Sequence, residues 1–428
     1  MRLSEIIRYY SNKDICSELL RLAKDREVAV QFSTGFGKRP DVLQFASDIT
    51  KQIRSGATSF HCSEERWSTP LALSPTMEKS ALDTLRIGFD LVLDIDCKIL
   101  EWGTVCAKLL LQALKWHGVD NYSIKFSGGT GWHVGIPYEA FPTDERIAFP
   151  DAPQAIAAYL KEFIRRQLSD DILELENDLK KLAEKAGKSA SQLIKDGTFD
   201  PYAVLSIDTI LISSRHLFRM PYSLNEKKWL VSLPIKEKDL DKFSTDWAKP
   251  ENVTKVNVKF LDSSAVKHTE AAQLLMQAFD WQIRTKEKFA AHGKIVKIEY
   301  ENKVPPEAFS PCMKCILQGL PDGRKRSLFA LINFLKNAKW SWPEIEQFVY
   351  NWNNINKPPL KIGYVKSQLA WHLRSGQKIP PPNCRDFYKD IGVCNPDRIC
   401  DRIKNPLSYP KFMNKRVINL KSKPKAEA

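Results

Sequence analysis

A run of about 18 or more apolar residues, the length a helix needs to cross a bilayer, is absent from the chain. The opening segment, MRLSEIIRYYSNKD, also lacks the apolar centre of a secretory signal. A membrane span and export are therefore not expected, and the cytoplasm is the expected compartment. No internal repeat is visible either. Core-forming material, by contrast, is plentiful: 43% of residues are hydrophobic, with 11 Trp and 21 Phe beside 27% charged residues. That composition excludes a mostly disordered protein. At 428 residues the chain is too long for one ordinary core, so two or three domains are expected. Nine cysteines in an unexported chain of this size suit thiols or metal ligands better than a disulfide framework.

The formal net charge is +14, and it is unevenly placed. Residues 1–300 carry 42 Lys and Arg against 41 Asp and Glu, whereas residues 301–428 carry 23 against 10. A solvated basic face would leave a milder imbalance. An asymmetry this large points to a polyanion partner, nucleic acid foremost.

Periodicity divides the chain into two blocks and a tail. In the first block, FDLVLDID (89–96) is a short apolar run ending in carboxylates and reads as a buried strand. YSIKF (122–126) alternates apolar and polar residues, which suits a half-buried strand. VLSID (204–208) and WLVSLPI (229–235) are further strand candidates. Between them, 155–195 reads as helical, with Leu175, Leu179, Leu182 and Ala186 on one face of a charged packing helix. The second block begins near Pro305 and reads as helical. There Ser341 and Glu344 form a capping box around Pro343, and Ile345, Phe348, Val349 and Trp352 line one face. The Pro- and Cys-rich stretch 376–400 reads as a loop held by something other than a core, and 410–428 as a flexible basic tail.

Three constellations carry chemistry. Asp94 and Asp96 stand at i and i+2, so in a strand both carboxylates project from one face. Bare, they repel; Mg²⁺ or Mn²⁺ would relieve them, although DxD pairs also occur in surface turns. Phe126-Ser127-Gly128-Gly129-Thr130-Gly131-Trp132-His133 follows a strand. Its glycines permit tight turns whose N–H groups can cradle phosphate, or a purely structural hairpin. It is not a P-loop, because no Gly-Lys-Ser/Thr follows. Asp208 ends a strand ahead of Arg215 and Arg219. A third carboxylate and two arginine forks would suit a two-metal triphosphate site; singly, they suit a helix cap and a solvated face.

Taken together, VLDID, SGGTGWH and ID…RHLFRMPYSL resemble the three signature motifs of the archaeo-eukaryotic primase catalytic (small) subunit, over roughly 1–295. Arg26-Glu27-Val28-Ala29-Val30 resembles that family's N-terminal strand. The resemblance implies an α+β fold: the primase catalytic fold of mixed sheets, with an inserted helical segment at about 155–200. It implies that Asp94, Asp96 and Asp208 hold two Mg²⁺ or Mn²⁺ ions. It assigns Ser127, Gly128, Gly129 and His133 to the incoming triphosphate. Arg219 and Arg215 would be basic phosphate contacts, with Arg39 a further one. Two departures stand out. Tyr222 and Asn225 replace a Gly and a His of the third motif, where Lys227 could substitute. A zinc knob is not expected either, since only Cys97 and Cys106 lie near the first motif, and Cys106 suits a buried helix position.

The second block holds Cys312, Cys384, Cys394 and Cys400, separated by 71, 9 and 5 residues, with Cys315 an alternative first ligand. One distant and three clustered cysteines suit four-thiolate ligation, and the chemistry alone is compatible with iron–sulfur or zinc. PPNCRDFYKDIGVCNPDRICDRIKNPLSY resembles the C-terminal iron–sulfur domain of archaeal primase large subunits, over about 305–409. That resemblance implies a mainly α-helical domain with a [4Fe–4S] cluster on Cys312, Cys384, Cys394 and Cys400. It also implies template or initiating-nucleotide contacts, for which Arg324, Arg326 and the helical stripe Tyr364, Gln368 and His372 are candidates. The combined reading is a single-chain primase, a catalytic module fused to an iron–sulfur domain, making short primers de novo. Single-stranded DNA and nucleoside triphosphates would be its partners, with a replication helicase or polymerase a further one. It would act as a monomer at the nucleoid. Alternatives are a plasmid or repair primase-polymerase that extends existing primers, and a non-catalytic iron–sulfur nucleic-acid-binding protein.

Overall fold

Where the sequence alternates between apolar and polar residues, two antiparallel sheets form. The computed structural model describes residues 1–143, 147–195, 197–208, 212–291, 300–374, 379–384 and 387–413. The chain divides into two units, Met1–His292 and Gly293–Ala428. In the first, α1 (Leu3–Tyr10) and α2 (Lys13–Ala23) lead into β1 (Val28–Phe32) and its hairpin partner β2 (Gly35–Phe36). Then come α3 (Ala46–Arg54), β3 (Ala57–Ser63), β4 (Glu65–Trp67), α4 (Lys79–Leu85), β5 (Arg86–Phe89) and β6 (Leu91–Cys97). Helix α5 (Leu100–Trp116) returns the chain to the hairpin β7 (Ser123–Phe126) and β8 (Trp132–Ile136). A helical segment follows, α6 (Asp151–Glu176), α7 (Leu179–Ala186) and α8 (Ala190–Leu193), and then the small ladder β9 (Ile194–Lys195) and β10 (Thr198–Phe199). The unit closes with β11 (Leu205–Ile207), β12 (Leu217–Arg219), β13 (Pro234–Ile235) and α9 (Ala272–Ala291).

One sheet has the order β11-β6-β8-β7-β13 and the other β12-β3-β1-β2, and two two-stranded ladders, β9-β10 and β4-β5, complete the described strands. In the first, Leu93, Ile95, Ile124, Phe126, Trp132 and Val134 form a core with residues of α5 and α6. Because successive strand residues alternate faces, Asp94, Asp96, Lys125 and His133 occupy the opposite face. The second sheet packs Val28, Val30, Phe60, Cys62 and Phe218 with residues of α1, α2 and α3. Helices beside antiparallel sheets make the fold α+β.

Three local expectations change. WLVSLPI is not one strand: Tyr222, Ser223 and Asn225 exchange backbone hydrogen bonds with Leu230 and Ser232 at 2.7–2.8 Å, leaving only Pro234–Ile235 to edge the larger sheet. The 155–195 helix breaks at Asn177, whose left-handed φ of 57° ends α6 and leaves Leu175 exposed while Leu182 is buried. YSIKF is not half-buried, because Lys125 is as buried as Phe126.

In the second unit, α10 (Pro311–Ile316), α11 (Arg324–Asn337), α12 (Trp342–Ile355), α13 (Ile362–Arg374) and α14 (Phe387–Asp390) surround a core that includes Phe309, Leu331, Phe334, Val349 and Trp352. The Ser341 capping box forms, with Glu344 accepting from the Ser341 N–H at 2.9 Å and its hydroxyl at 2.7 Å. Most of the basic tail, from residue 414 onward, lies outside the described residues. Among the described residues no helix is long and apolar enough to cross a membrane.

The join between the two sheets is ionic. Arg26, at the head of β1, meets Asp90 between β5 and β6 at 2.5 Å, with both side chains buried. Arg66 reaches the same carboxylate at 2.9 Å. Removing one partner of a buried pair typically costs about 3–5 kcal/mol. Because Arg66 remains, Arg26→Met is expected to cost about 3 kcal/mol, read as a lower denaturant midpoint with an unchanged slope.

Candidate active site

Strand register turns separate sequence motifs into one row. Asp94 on β6 lies opposite His133 on β8, which lies opposite Lys125 on β7. On the other side, the Asp208 N–H donates to the Asp94 carbonyl at 3.0 Å, extending the β11–β6 ladder by one residue. Cross-strand neighbours share a face, so Asp208, Asp94, His133 and Lys125 line up across four strands. Asp96 stands two residues along β6, opposite Ser206.

The row is electrostatically tense. Burial, then Asp96 and Asp208, push the Asp94 carboxyl up to about 7, and Lys125 opposes them. His133 Nε2 lies 3.4 Å from Asp94 Oδ1. Burial first, then Lys125 and Arg219, hold this imidazole well below the usual histidine range, hence neutral. Its buried Nδ1 has no hydrogen-bond partner among the described residues. Lys125 donates to Ser232 Oγ at 2.7 Å and lies 5.3 Å from the Phe260 ring centre. Burial lowers its ammonium to about 7 against the pull of Asp94.

The glycine-rich turn packs closely against this row. A Cβ on Gly131 would fall 2.0 Å from the Ile95 carbonyl oxygen, so only glycine lets β8 start here. Gly128 takes a φ of +81° beside Asn225. Ser127 Oγ accepts from the Gly129 and Gly131 N–H groups, both at 3.2 Å, and so shapes the turn from within. Asn225 Nδ2 would lie 3.5 Å from a Cβ at Gly129, so Asn225 borders the turn. Tyr222 is instead a core residue whose hydroxyl donates to the Val258 carbonyl at 2.6 Å. Lys227 is exposed.

Both arginines are engaged. Arg215 grips Glu27 through two bonds of 2.9 and 2.7 Å, and Arg39 reaches the same carboxylate at 2.9 Å. Arg219 pairs with Glu226 at 2.8 Å and donates to the Leu224 carbonyl at 2.6 Å.

In the second unit, Cys312, Cys384, Cys394 and Cys400 are brought together, since charge on one thiol bears on another in every pairing. Burial, then these neighbours, push Cys384 up to about 12. Burial heads the causes that push Cys312 up to about 11, with Cys400 and Cys394 adding to it. Cys315 is not among the neighbours that raise Cys384. Cys97 and Cys106 are buried in the first unit. Arg324 donates to the Pro358 carbonyl, Arg326 is exposed, and Lys325 Nζ lies 5.2 Å from the Tyr364 ring centre. Gln368 is half-buried. His372 is buried, with its ring 5.6 Å from Phe329.

Among the described residues no three His, Cys, Asp or Glu side chains are drawn tightly enough to hold a metal ion as they stand. The donor chemistry nevertheless fits. Crowded carboxylates, among which Asp94 is raised, suit a hard divalent cation, and crowded thiols, among which Cys312, Cys384 and Cys400 are raised, suit a thiophilic metal centre that favours their ionised form.

No protein-family profile matches the chain. The DNA primase large subunits PriL of two Halobacterium salinarum strains are each 34% identical over 113 residues, which is 25% of this chain and 29% of theirs. This chain thus spans less than a third of the length of those relatives. Among solved structures, the polymerase domain from Mycobacterium tuberculosis Ligase D in complex with DNA aligns over 65% of this chain and 88% of that one, at 15% identity. Its TM-score of 0.38 is too low to equate the two folds.

Sequence reasoning missed Lys125, Glu27 and Glu226, and it missed Glu64. That last carboxyl is buried and held well above its usual range by burial, then by Glu65, Asp90 and Asp94. An ionisable residue inside an apolar strand was the available signal for Lys125. For the glutamates there was none, because Glu27 and Arg215 are 188 residues apart.

A raised carboxyl has a stability signature. In chelator-treated protein, the folded state keeps the Asp94 proton between about pH 4 and 7 while the unfolded chain releases it. Folding stability should therefore fall as pH rises through that window. Asp94→Asn is expected to flatten the fall, as measured by urea unfolding at pH 4.5 and 7.5.

Proposed function

We propose that the chain is a primase-type nucleotidyltransferase that starts short primers on single-stranded DNA. The observation that carries this reading is the row of Asp208, Asp94 and His133 beside Asp96 and the glycine-rich turn. Similarity to archaeal primase large subunits within the same chain supports it.

In this reading Asp94, Asp96 and Asp208 hold two divalent cations. When bound, such a pair activates the attacking 3′-hydroxyl and neutralises the leaving pyrophosphate. The chain's own residues do the positioning. His133, neutral and with one ring nitrogen still to be satisfied, donates to a phosphate oxygen. The Ser127–Gly131 turn, shaped by Ser127 Oγ, supplies at the same place the backbone N–H groups not already bonded within it. Arg219 and Arg215 contact phosphate by exchanging Glu226 and Glu27 for it, which lets the incoming nucleotide compete for cations already oriented. Lys125, behind His133, offsets the repulsion among the carboxylates. No covalent enzyme intermediate is needed, since orientation and charge neutralisation act directly on the reacting groups.

In the second unit Cys312, Cys384, Cys394 and Cys400 hold a [4Fe–4S] cluster, and the basic surplus after residue 300 grips the template and the initiating nucleotide. Arg324, Arg326 and Tyr364 are the contacts proposed there. The buried ring of His372 suits a packing role under them.

The test is dinucleotide synthesis on single-stranded DNA with no primer added. Wild-type protein with Mn²⁺ is expected to form dinucleotides. Asp94→Asn with Asp96→Asn should lose at least about 100-fold, the rate equivalent of the several kcal/mol that metal ions supply. Unchanged incorporation by that variant would contradict the assignment, and extension confined to added primers would favour a primase-polymerase.

A further inference from the structure

Two tyrosines, Tyr388 and Tyr409, stand near the four thiols. Tyr388 on α14 lies between Cys384 and Cys394 in sequence, and its side chain is buried. The Val393 N–H donates to its carbonyl at 3.0 Å, and the Gly392 N–H donates to the Lys389 carbonyl at 2.9 Å. These bonds clamp α14 to the loop that carries Cys394. The ring is fixed as well, edge-on to Phe387 with centres 5.1 Å apart, within the core of the unit.

Its hydroxyl has no hydrogen-bond partner among the described residues. Buried hydroxyls are costly to leave unpaired, and a native site that keeps one calls for a physical reason. Tyr388 packs in the same core cluster as Cys312, with Cys394 packed against that cluster, and the thiols of Cys312 and Cys384 lie near enough to bear on its hydroxyl. A second tyrosine near the thiols, Tyr409, shows the contrast. Its hydroxyl donates to Asp397 Oδ2 at 2.5 Å, while Asp397 Oδ1 accepts from the Cys400 N–H at 3.1 Å. Among the described residues, then, Tyr409 has a protein acceptor while Tyr388 has a proton to give.

We propose that Tyr388 is a positioning residue for the iron–sulfur cluster, its hydroxyl donating a hydrogen bond to sulfur on the Cys312–Cys384 side. The inference rests on the cluster reading above. Outer-shell donors orient ligands and hold metal centres in place. Hydrogen bonds to cluster sulfur also favour the more negative, reduced state and so raise the reduction potential.

Tyr388→Phe removes the hydroxyl and little else, and full-length protein should be compared in two states. Chelator-stripped variant is expected to be as stable as stripped wild type, or slightly more so, because the lost group has no partner among the described residues. Anaerobically purified wild type is expected to carry about four irons, with broad absorbance near about 400 nm. In the iron-loaded state the variant should lose that absorbance about five-fold faster under chelator, the rate equivalent of one net hydrogen bond, and its reduction potential should shift negative. Iron-loaded variant matching wild type in both rate and potential would overturn the proposal and leave the cluster reading standing. So would a stripped variant destabilised as much as the loaded one, since the hydroxyl would then serve the protein. Wild type that binds one zinc and no iron would overturn the cluster reading and this proposal with it.

Discussion

Three carboxylates that repel one another are held on one face of two adjacent strands, and much of the first unit is arranged around that repulsion. Leu93 and Ile95 anchor β6 in the core, so strand alternation leaves Asp94 and Asp96 no choice but to share a face. Gly131 lets β8 approach the Ile95 carbonyl closely enough to bring His133 opposite Asp94. Lys125 answers the negative row from behind, at the cost of burying an ammonium among aromatic rings. A surplus of like charge kept at a fixed place is what a cation-binding, phosphate-handling centre requires.

Around the row runs an outer ring of committed charge pairs: Arg26 and Arg66 on Asp90, Arg39 and Arg215 on Glu27, Arg86 on Glu65. These five arginines are committed to three buried carboxylates, whereas the basic surplus of the chain lies after residue 300. The second unit poses a related problem with sulfur in place of oxygen, gathering four cysteines in which burial and then neighbouring thiols raise Cys312 and Cys384. The two units thus offer hard and soft donor sets to metals of different character.

The sequence was most legible where local pattern and chemistry coincide. The run ending in Asp94 and Asp96 became β6, and the Ser341 capping box opened α12 as its spacing requires. Lys125 was misread because alternation reveals which residues share a face but not what covers it. Phe218 and Phe260, which cover Lys125, come from distant parts of the chain. The arginines were legible as cations but not as already paired, since their carboxylate partners are set by tertiary folding. The turn at Asn177 escaped notice because a left-handed asparagine leaves apolar periodicity intact on either side of the break. Convergence of Cys312 with cysteines more than 70 positions away was legible in the spacing of one distant and three clustered thiols, but the choice of iron–sulfur over zinc came only from resemblance, since thiolate chemistry is compatible with both.

The claim on which the rest hangs is that Asp94, Asp96 and Asp208 form one site for two divalent cations. Mn²⁺ binding to full-length protein, followed by electron paramagnetic resonance with a non-hydrolysable nucleoside triphosphate present, addresses it directly. Two bound ions per chain, close enough to couple magnetically, are predicted for wild type, and loss of both for Asp94→Asn with Asp96→Asn. Tight Mn²⁺ binding that survives that double substitution, or no binding by wild type, would contradict it.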